Sequence, residues 1–317
     1  MSALVTGSSG FLGRHLCETL RKKGIEVVEA HSKNCDLTDP KALSQFDHYK
    51  FDRIYHLAVW MQAGDFCVYH PAEIWANNQK ITTNTLDWWQ KKQPQAKFIT
   101  LGTSCCYDPN LPLTETNYLI GTPHESLFSY AIIKKALLVG LQAMHKQYGL
   151  NYLYLIPSTL YGPGYHTDDR QLHFIFDLVR KILNGKHLGD TVTLWGNGEQ
   201  KRELVYIDDF IDALFHLAET QENTLINIGE GREHTIREFA QLICNEVGYP
   251  FEKIEFDTSK YVGALSKVLC VQRLKAAYPD YQQTPLKEGL AEMVDWFAKA
   301  HKLGQSASTC MSGAVTG

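Results

Sequence analysis

The sequence predicts an α/β fold in which a doubly wound parallel sheet is followed by a smaller C-terminal lobe. Three observations support this prediction. Short apolar segments typical of buried strands alternate with longer segments of helical periodicity along most of the chain. A glycine-rich turn joins the first of these strands to the first helix. The chain has 317 residues, of which 44% are hydrophobic, and this is enough to bury one large core or two.

The predicted elements follow one another in a regular order. Strands are expected over residues 3–6, 26–29, 53–58, 98–102, 152–156 and 225–227. Helices are expected over residues 71–91, 172–183, 235–247 and 287–299, after a first helix that ends at residue 20. The turn-rich segment 157–164 marks the expected exit from the sheet towards the smaller lobe, and residues 205–217 are expected to return.

Composition excludes several classes of protein. The net charge is −4 with Lys and Arg dispersed, so no basic stripe indicates a nucleic-acid partner. No apolar run approaches the roughly 20 residues that span a bilayer, so we expect no membrane partner. An apolar strand begins within three residues of the N-terminus. We therefore expect no targeting segment and a cytoplasmic protein.

The cysteines predict neither a disulfide framework nor a metal site. The chain has eight of them, and none forms a Cys-x-x-Cys pair or clusters with histidines at zinc-site spacing. Free thiols in a reducing compartment are the simplest interpretation. We expect no structural metal.

The glycine turn after the first strand predicts a dinucleotide site. A tight turn of this kind lets backbone N–H groups and a helix N-terminus approach a pyrophosphate, and its last glycine lets the helix pack closely on the strand. A structural turn is the alternative, but the strand-to-helix context favours binding. The expected cofactor contacts in the turn are Gly7, Ser9, Gly10, Phe11, Leu12 and Gly13.

The end of the second strand favours NADP(H) over NAD(H). An acidic residue at this position would bind the ribose 2′-hydroxyl of NAD. The tip carries Ser32 and Lys33 instead, which suit a 2′-phosphate, and Glu29 lies slightly too early to exclude NAD. Asp36 and Leu37 are expected near the adenine, although an aspartate here is equally a helix-start signal.

Further cofactor contacts are expected where other strands end. The ligands of a doubly wound sheet gather at the carboxyl ends of its strands. Leu57 and Ala58 end the third predicted strand, and Pro157 follows the fifth. We therefore expect these three residues to line the cofactor.

A tyrosine and a lysine predict an acid/base device. Tyr130 and Lys134 stand four residues apart in a helical segment, so their side chains share a face. A neighbouring ammonium favours the phenolate and would lower the tyrosine pKa from about 10. The alternative is an ordinary amphipathic helix, since apolar residues recur there at helical spacing.

Three motifs in order resemble the extended short-chain dehydrogenase/reductase family: the glycine turn, Thr103 four residues before Tyr107, and the Tyr130–Lys134 pair. The resemblance implies that Thr103 holds the substrate carbonyl, where Ser is more usual. Tyr130 would be the proton donor and Lys134 its pKa-lowering partner, and both would contact the cofactor. It further implies a Rossmann-type NADP-binding domain over residues 1–160 and 205–229. The substrate-binding lobe would comprise residues 161–204 and 230–303, with a flexible tail at 304–317.

Within that family, further motifs resemble the branch that epimerises and reduces GDP-linked 4-keto-6-deoxy sugars. They include residues 102–107, 130–134, 160–163, 195–198 and 235–238, and the similarity extends from about residue 4 to 297. It implies that Cys105 and His173 are the acid/base pair of a 3,5-epimerase. It also implies a homodimer. Thr159 stands where the family usually has Asn. The implied substrate contacts are Lys181, Trp195, Arg202 and Lys267.

The resulting functional hypothesis is an NADPH-dependent enzyme that epimerises C3 and C5 of a GDP-linked 4-keto-6-deoxy sugar and then reduces C4. One alternative is a reductase without epimerase activity, acting on a 4-keto-heptose nucleotide or a related sugar. A 4,6-dehydratase is disfavoured, because that chemistry needs an acidic pair where this chain has Ser104 and Cys105. A non-catalytic NADP-binding regulator is disfavoured by the intact Thr103, Tyr130 and Lys134.

Overall fold

The computed structural model describes residues 1–64, 66–168, 170–260 and 265–301. The tail expected at 304–317 lies outside the described residues. The helices are α1 (Phe11–Lys22), α2 (Phe66–Tyr69), α3 (Pro71–Lys92), α4 (Phe128–Tyr148), α5 (Phe174–His187), α6 (Ile207–Thr220), α7 (Ile236–Val247), α8 (Gln272–Ala277) and α9 (Leu286–Ala300). The strands are β1 (Ser2–Thr6), β2 (Glu26–Ala30), β3 (Arg53–His56), β4 (Lys97–Leu101), β5 (Tyr152–Pro157), β6 (Thr159–Tyr161), β7 (Thr193–Trp195), β8 (Lys201–Arg202), β9 (Leu204–Tyr206), β10 (Thr224–Ile228), β11 (His234–Thr235) and β12 (Glu255–Asp257).

Six parallel strands form the central sheet, in the order β10-β5-β4-β3-β1-β2. The predicted doubly wound α/β sheet is therefore confirmed. The strand order reverses between β1 and β3, since β1 pairs with β2 on one side and with β3 on the other. Such a switch point opens a crevice at the carboxyl ends of the strands, which is where nucleotides bind in this architecture.

Two hydrophobic cores underlie the two parts of the fold. The larger core packs around the central sheet, and the smaller contains residues from α5, α7 and α9. Helix α6 returns to the larger core, as expected for residues 205–217. One segment differs from the expected division at 230–303, because Leu269, Val271 and Leu274 pack into the core of the sheet. The chain therefore returns to the sheet domain a second time.

Helix α4 corrects the expectation about apolar runs. The segment Glu125–Tyr148 is long and apolar enough to cross a membrane by length and composition, with a mean hydropathy of 1.4. Part of this apolar content belongs to the core, since Ala131, Leu137, Leu138 and Leu141 pack against the sheet. A core helix passes the same composition test as a membrane span.

The predicted helix at 172–183 begins later and ends later than expected. His173 has φ −64° and ψ 150°, so it is the extended cap that precedes α5. The helix continues to His187 and buries Ile182 and Leu183 in the smaller core. His173 therefore lies just before the start of α5.

Candidate active site

The glycine turn between β1 and α1 packs against the backbone that follows β3. Gly7 has φ +70°, and a Cβ there would lie 2.8 Å from the Ala58 nitrogen. A Cβ on Gly13 would lie 2.2 Å from the Gly7 carbonyl oxygen. Gly10 is the N-cap of α1, and no described side chain caps it. The first N–H groups of α1 are thus open to a pyrophosphate, as the dinucleotide prediction requires.

The tip of β2 exposes a hydroxyl and a cation. Ser32 and Lys33 are both exposed, whereas Leu37 is buried. Asn34 holds this turn by accepting a hydrogen bond from the His31 N–H at 2.8 Å. Glu29 on β2 accepts a hydrogen bond from Arg21, which lowers the pKa of its carboxyl. The local charge therefore suits a phosphate better than a free ribose hydroxyl.

Asp36 forms a local turn. Its carboxylate accepts hydrogen bonds from the Thr38 N–H at 3.0 Å and from the Thr38 hydroxyl at 2.8 Å. This is the Asx geometry that starts a turn, and its exposed position leaves the adenine contact a prediction.

Tyr130 and Lys134 share one face of α4, but their electrostatics differ from the prediction. The Lys134 ammonium donates to the Leu101 carbonyl at 2.9 Å and lies 6.0 Å from the centre of the Tyr130 ring. Burial, followed by the nearby Cys105, raises the pKa of Tyr130. The expected net lowering of the Tyr130 pKa is therefore wrong, because burial decides the direction of the shift. Burial also lowers the pKa of Lys134 to about 8.

The consequence for Tyr130 is simple. A phenol with a raised pKa is protonated at neutral pH, which is the state that a proton donor needs.

Thr103 lies at the end of β4, where its hydroxyl caps the short helix Ser104–Cys106 by accepting from the Cys105 N–H at 3.2 Å.

Two buried tyrosines that the sequence analysis did not identify support this site through hydrogen bonds. The Tyr118 hydroxyl accepts from the Thr103 N–H at 3.3 Å and lies 3.0 Å from the Tyr154 hydroxyl. Tyr154 in turn donates to the Lys134 carbonyl at 2.7 Å. Both rings are fully buried. The loop of Thr103 and the helix of Lys134 are thereby joined through one hydrogen-bonded pair.

Cys105 faces a cation that lies far away in the sequence. The Lys267 ammonium is 3.0 Å from the Cys105 sulfur. Burial alone would raise the pKa of this thiol, but Lys267, a hydrogen bond with Thr103 and the charge of Arg202 outweigh burial and lower it. Lys267 lies against the sulfur, whereas the Lys134 ammonium bonds to the Leu101 carbonyl.

His173 belongs to the same electrostatic site. His173 is the exposed residue that caps α5. Desolvation, followed by the positive charges of Lys267 and Arg202, lowers the pKa of His173. The same two cations therefore act on both Cys105 and His173.

The remaining predicted substrate contacts divide into two groups. Arg202 on β8 and Lys267 are brought to the reactive side chains. Lys181 on α5 instead contacts Asp177 at 3.1 Å and the Thr193 carbonyl at 3.3 Å. Trp195 ends β7 with 58% of its surface exposed. These last two remain predictions for the outer part of the substrate.

Glu203 is a buried carboxylate that the sequence analysis did not single out as a site residue. It accepts hydrogen bonds from the Gly231 N–H at 2.6 Å and from the Leu269 N–H at 2.9 Å. Burial raises its pKa to about 7 against these backbone bonds. Glu203 thus ties the segment that carries Lys267 to β8 and β9, between which it lies.

This raised pKa predicts a pH-dependent stability. The native protein holds the Glu203 proton more tightly than the unfolded chain, so stability is lost as the pH rises from about 4.5 to about 7. The loss in the free energy of unfolding should be on the order of 3 kcal/mol. Urea unfolding at about pH 5 and pH 8 measures it. Glu203→Gln should flatten this dependence, whereas the exposed control Glu246→Gln should retain it. An unchanged pH slope in Glu203→Gln would refute the assignment.

Across the part of the chain that the structure describes, no three His, Cys, Asp or Glu residues are placed to hold a metal ion. The seven described cysteines are free thiols.

The fold is a parallel doubly wound sheet with a glycine turn, and the site has a Tyr–Lys pair and a hydroxyl at a strand end. Together these features define a class of nucleotide-dependent dehydrogenases and epimerases. The family model described as "NAD dependent epimerase/dehydratase family" matches residues 3–229. The chain belongs to this family.

Its relatives are similar over nearly their whole length. The chain is 31% identical over 310 residues to a GDP-L-fucose synthase of Escherichia coli (strain K12), covering 92% of this chain and 95% of that protein. A GDP-L-fucose synthetase from Naegleria fowleri, solved with NADP bound, has a TM-score of 0.83 at 24% identity and 95% coverage of both chains. A GDP-6-OMe-4-keto-L-xylo-heptose reductase from Campylobacter jejuni has a TM-score of 0.85 at 22% identity, covering 94% and 98%.

Proposed function

We propose that the protein is an NADPH-dependent 3,5-epimerase/4-reductase of a GDP-linked 4-keto-6-deoxy sugar, resembling GDP-L-fucose synthase. One observation carries the proposal: the residues needed for epimerisation and for reduction share one electrostatic site. Lys267 and Arg202 act on both Cys105 and His173, and the charge of Cys105 acts on Tyr130. The GDP moiety is supported by the names of the relatives.

The chemistry follows from the ketone. A carbonyl at C4 acidifies the hydrogens at C3 and C5, so a base on one face and an acid on the other invert these centres through an enediolate. Cys105, whose thiol pKa is lowered, is the base. His173 is the proposed acid. Its pKa is lowered to about 4, so the imidazole is neutral at neutral pH in the protein alone. The negative charge of the bound nucleotide sugar would offset Lys267 and Arg202 and favour the protonated form that donates the returning proton. In this scheme Cys105 takes a proton from the sugar and His173 gives one back. Proton exchange with solvent then restores both side chains.

Reduction uses the other half of the site. A nicotinamide cofactor, held at the glycine turn, would supply the hydride for C4. Thr103 orients the C4 oxygen through its hydroxyl, and Tyr130 donates the proton that this oxygen needs once hydride has been transferred. Lys134 remains close enough to the Tyr130 ring to stabilise the phenolate that is left. Proton return from solvent then restores the phenol.

The cofactor choice is tested together with the proposed function. With GDP-4-keto-6-deoxymannose as substrate, NADPH should be consumed at least several-fold more efficiently than NADH in kcat/KM. The reason is that Lys33 and Ser32 are exposed to meet a 2′-phosphate while Glu29 is occupied by Arg21. Absorbance of the reduced nicotinamide measures the rate, and chromatography identifies the sugar product.

Lys33→Met should raise the KM for NADPH more than that for NADH, because only NADPH offers a charge to neutralise. Lys50→Met, another exposed lysine of the same domain, is the matched control and should leave both values unchanged. Equal efficiency with the two cofactors would reject the NADP assignment. No turnover of any GDP-linked keto sugar would reject the function.

A further inference from the structure

The contact between Lys267 and Cys105 joins two distant parts of the chain. Cys105 lies in the short helix Ser104–Cys106, which directly follows the sheet strand β4. Lys267 lies 162 residues later, before α8, and its ammonium is 3.0 Å from the sulfur. Lys267 is half-buried, so this ion pair is partly shielded from water. An ammonium at this distance favours the thiolate over the thiol.

The backbone around Lys267 is fixed on both sides. Before it, the Glu233 carboxylate accepts from the Ser266 hydroxyl at 2.7 Å and from the Lys267 N–H at 3.1 Å. After it, Glu203 accepts from the Leu269 N–H at 2.9 Å. Two carboxylates thus hold the backbone of residues 266–269, from which the Lys267 ammonium reaches the Cys105 sulfur.

Glu233 places a carboxylate against the Lys267 backbone and acts on Arg202, and the remaining groups near the thiol are cationic or neutral. Arg202 adds a second positive charge, and Thr103 adds a hydrogen bond. The neighbouring thiol of Cys67 has its pKa raised by burial to about 11 and is therefore neutral. Burial likewise raises the pKa of Tyr130, which is neutral as well. At neutral pH the cations therefore dominate the electrostatics of the Cys105 sulfur.

Cys106 provides the contrast within the same turn. Its side chain points the other way, to the Tyr118 hydroxyl at 3.0 Å and the Ala131 carbonyl at 3.3 Å. Burial raises the pKa of this thiol to about 12. The pKa values of two adjacent cysteines are thus shifted in opposite directions, and the ammonium of Lys267 lies against the Cys105 sulfur.

We propose that Lys267 is the positioning residue that ionises Cys105 in the ligand-free protein, in addition to its expected contact with the substrate. The thiol proton is released to solvent, and the thiolate is then paired with the ammonium. The catalytic meaning of this pair, as the base for C3 and C5, rests on the proposed function. The ionisation itself does not, since it needs neither substrate nor turnover.

Alkylation by iodoacetamide tests the proposal, because only the thiolate reacts. The rate at Cys105 is followed in the full-length protein by peptide mass spectrometry from about pH 6 to pH 9. We expect Lys267→Met to slow this rate about tenfold or more at pH 7 and to move the pH profile upwards. Lys267→Arg should restore most of the rate, since the charge is kept. Cys106 in the same peptide should react slowly in every variant.

A control separates charge from folding. Lys253→Met removes an exposed lysine elsewhere in the same lobe and should react as the wild type does. Circular dichroism should show that Lys267→Met keeps its secondary structure. A wild-type pH profile in folded Lys267→Met would overturn the proposal. If the Lys267→Met variant shows no shift of its alkylation profile while the wild type epimerises normally, only the role of Lys267 is rejected. If the profile shifts but the wild type turns over no keto sugar, the proposed function is rejected and the role of Lys267 is kept.

Discussion

Tyr130→Phe should lower the turnover of the 4-keto sugar on the order of 10²-fold or more, while cofactor affinity changes little. The substitution removes only the hydroxyl. The ring stays packed against Cys67, Ile74 and Ile133, so the shape of the site is preserved. Burial raises the pKa of Tyr130, so at neutral pH the hydroxyl holds the proton that the C4 oxygen requires. Steady-state kinetics and fluorescence titration with NADPH measure the two quantities.

The matched control lies on the same helix. Tyr148→Phe makes the identical chemical change at the last residue of α4, where 48% of the side chain is exposed. It should have wild-type kinetics. If Tyr130→Phe also turned over at a near-normal rate, another group would have to supply the proton.

Cys105→Ser should nearly abolish proton exchange at C3 and C5 while hydride transfer survives. A serine hydroxyl is a far weaker acid than a thiol, so Lys267 cannot ionise it at neutral pH. The measurement is deuterium uptake: the wild type, incubated in D₂O with the keto sugar and no NADPH, should place deuterium at C3 and C5. Mass spectrometry of the recovered sugar reports it. With NADPH present, the mutant should yield a sugar reduced without inversion, if that ketone is accepted.

Cys106→Ser is the internal control for this experiment. The hydroxyl can replace the thiol between Tyr118 and the Ala131 carbonyl, so the fold and the exchange should both persist. No deuterium uptake by the wild type, together with normal reduction, would leave the protein a C4-reductase that retains an epimerase's residues. That outcome would favour the reductase alternative raised by the sequence.

The sequence predicted those features of the site that depend on short spacing. The glycine turn, the four-residue interval from Tyr130 to Lys134 and the strand end at Thr103 are all local, and local spacing fixes which side chains share a face or an edge. The charge on Cys105 could not be predicted in this way. It depends on Lys267, 162 residues away, which only the packing of the C-terminal segment onto the sheet brings near.

The pKa of Tyr130 shows a second limit. A Tyr-x-x-x-Lys interval indicates proximity, but the balance between burial and charge is a property of the whole environment. Here the ammonium of Lys134 is directed to the Leu101 carbonyl, and burial decides the direction of the tyrosine shift. The tyrosine pair behind the site was likewise invisible, since Tyr118 and Tyr154 are 36 residues apart and each is an ordinary core residue by pattern.

That tyrosine pair also restricts how the catalytic loop can change over evolution. Gly102, next to Thr103, leaves no room for a side chain, because a Cβ would lie 2.6 Å from the Tyr118 hydroxyl and 2.5 Å from the Tyr154 ring. Neither Gly102 nor the two tyrosines can therefore be exchanged freely. An alanine at Gly102 becomes sterically acceptable only together with smaller residues at both ring positions, and those residues would release the Thr103 N–H and the Lys134 carbonyl. The three positions are therefore expected to be epistatic: a substitution that is harmful at one position is tolerated only when the other two positions change as well.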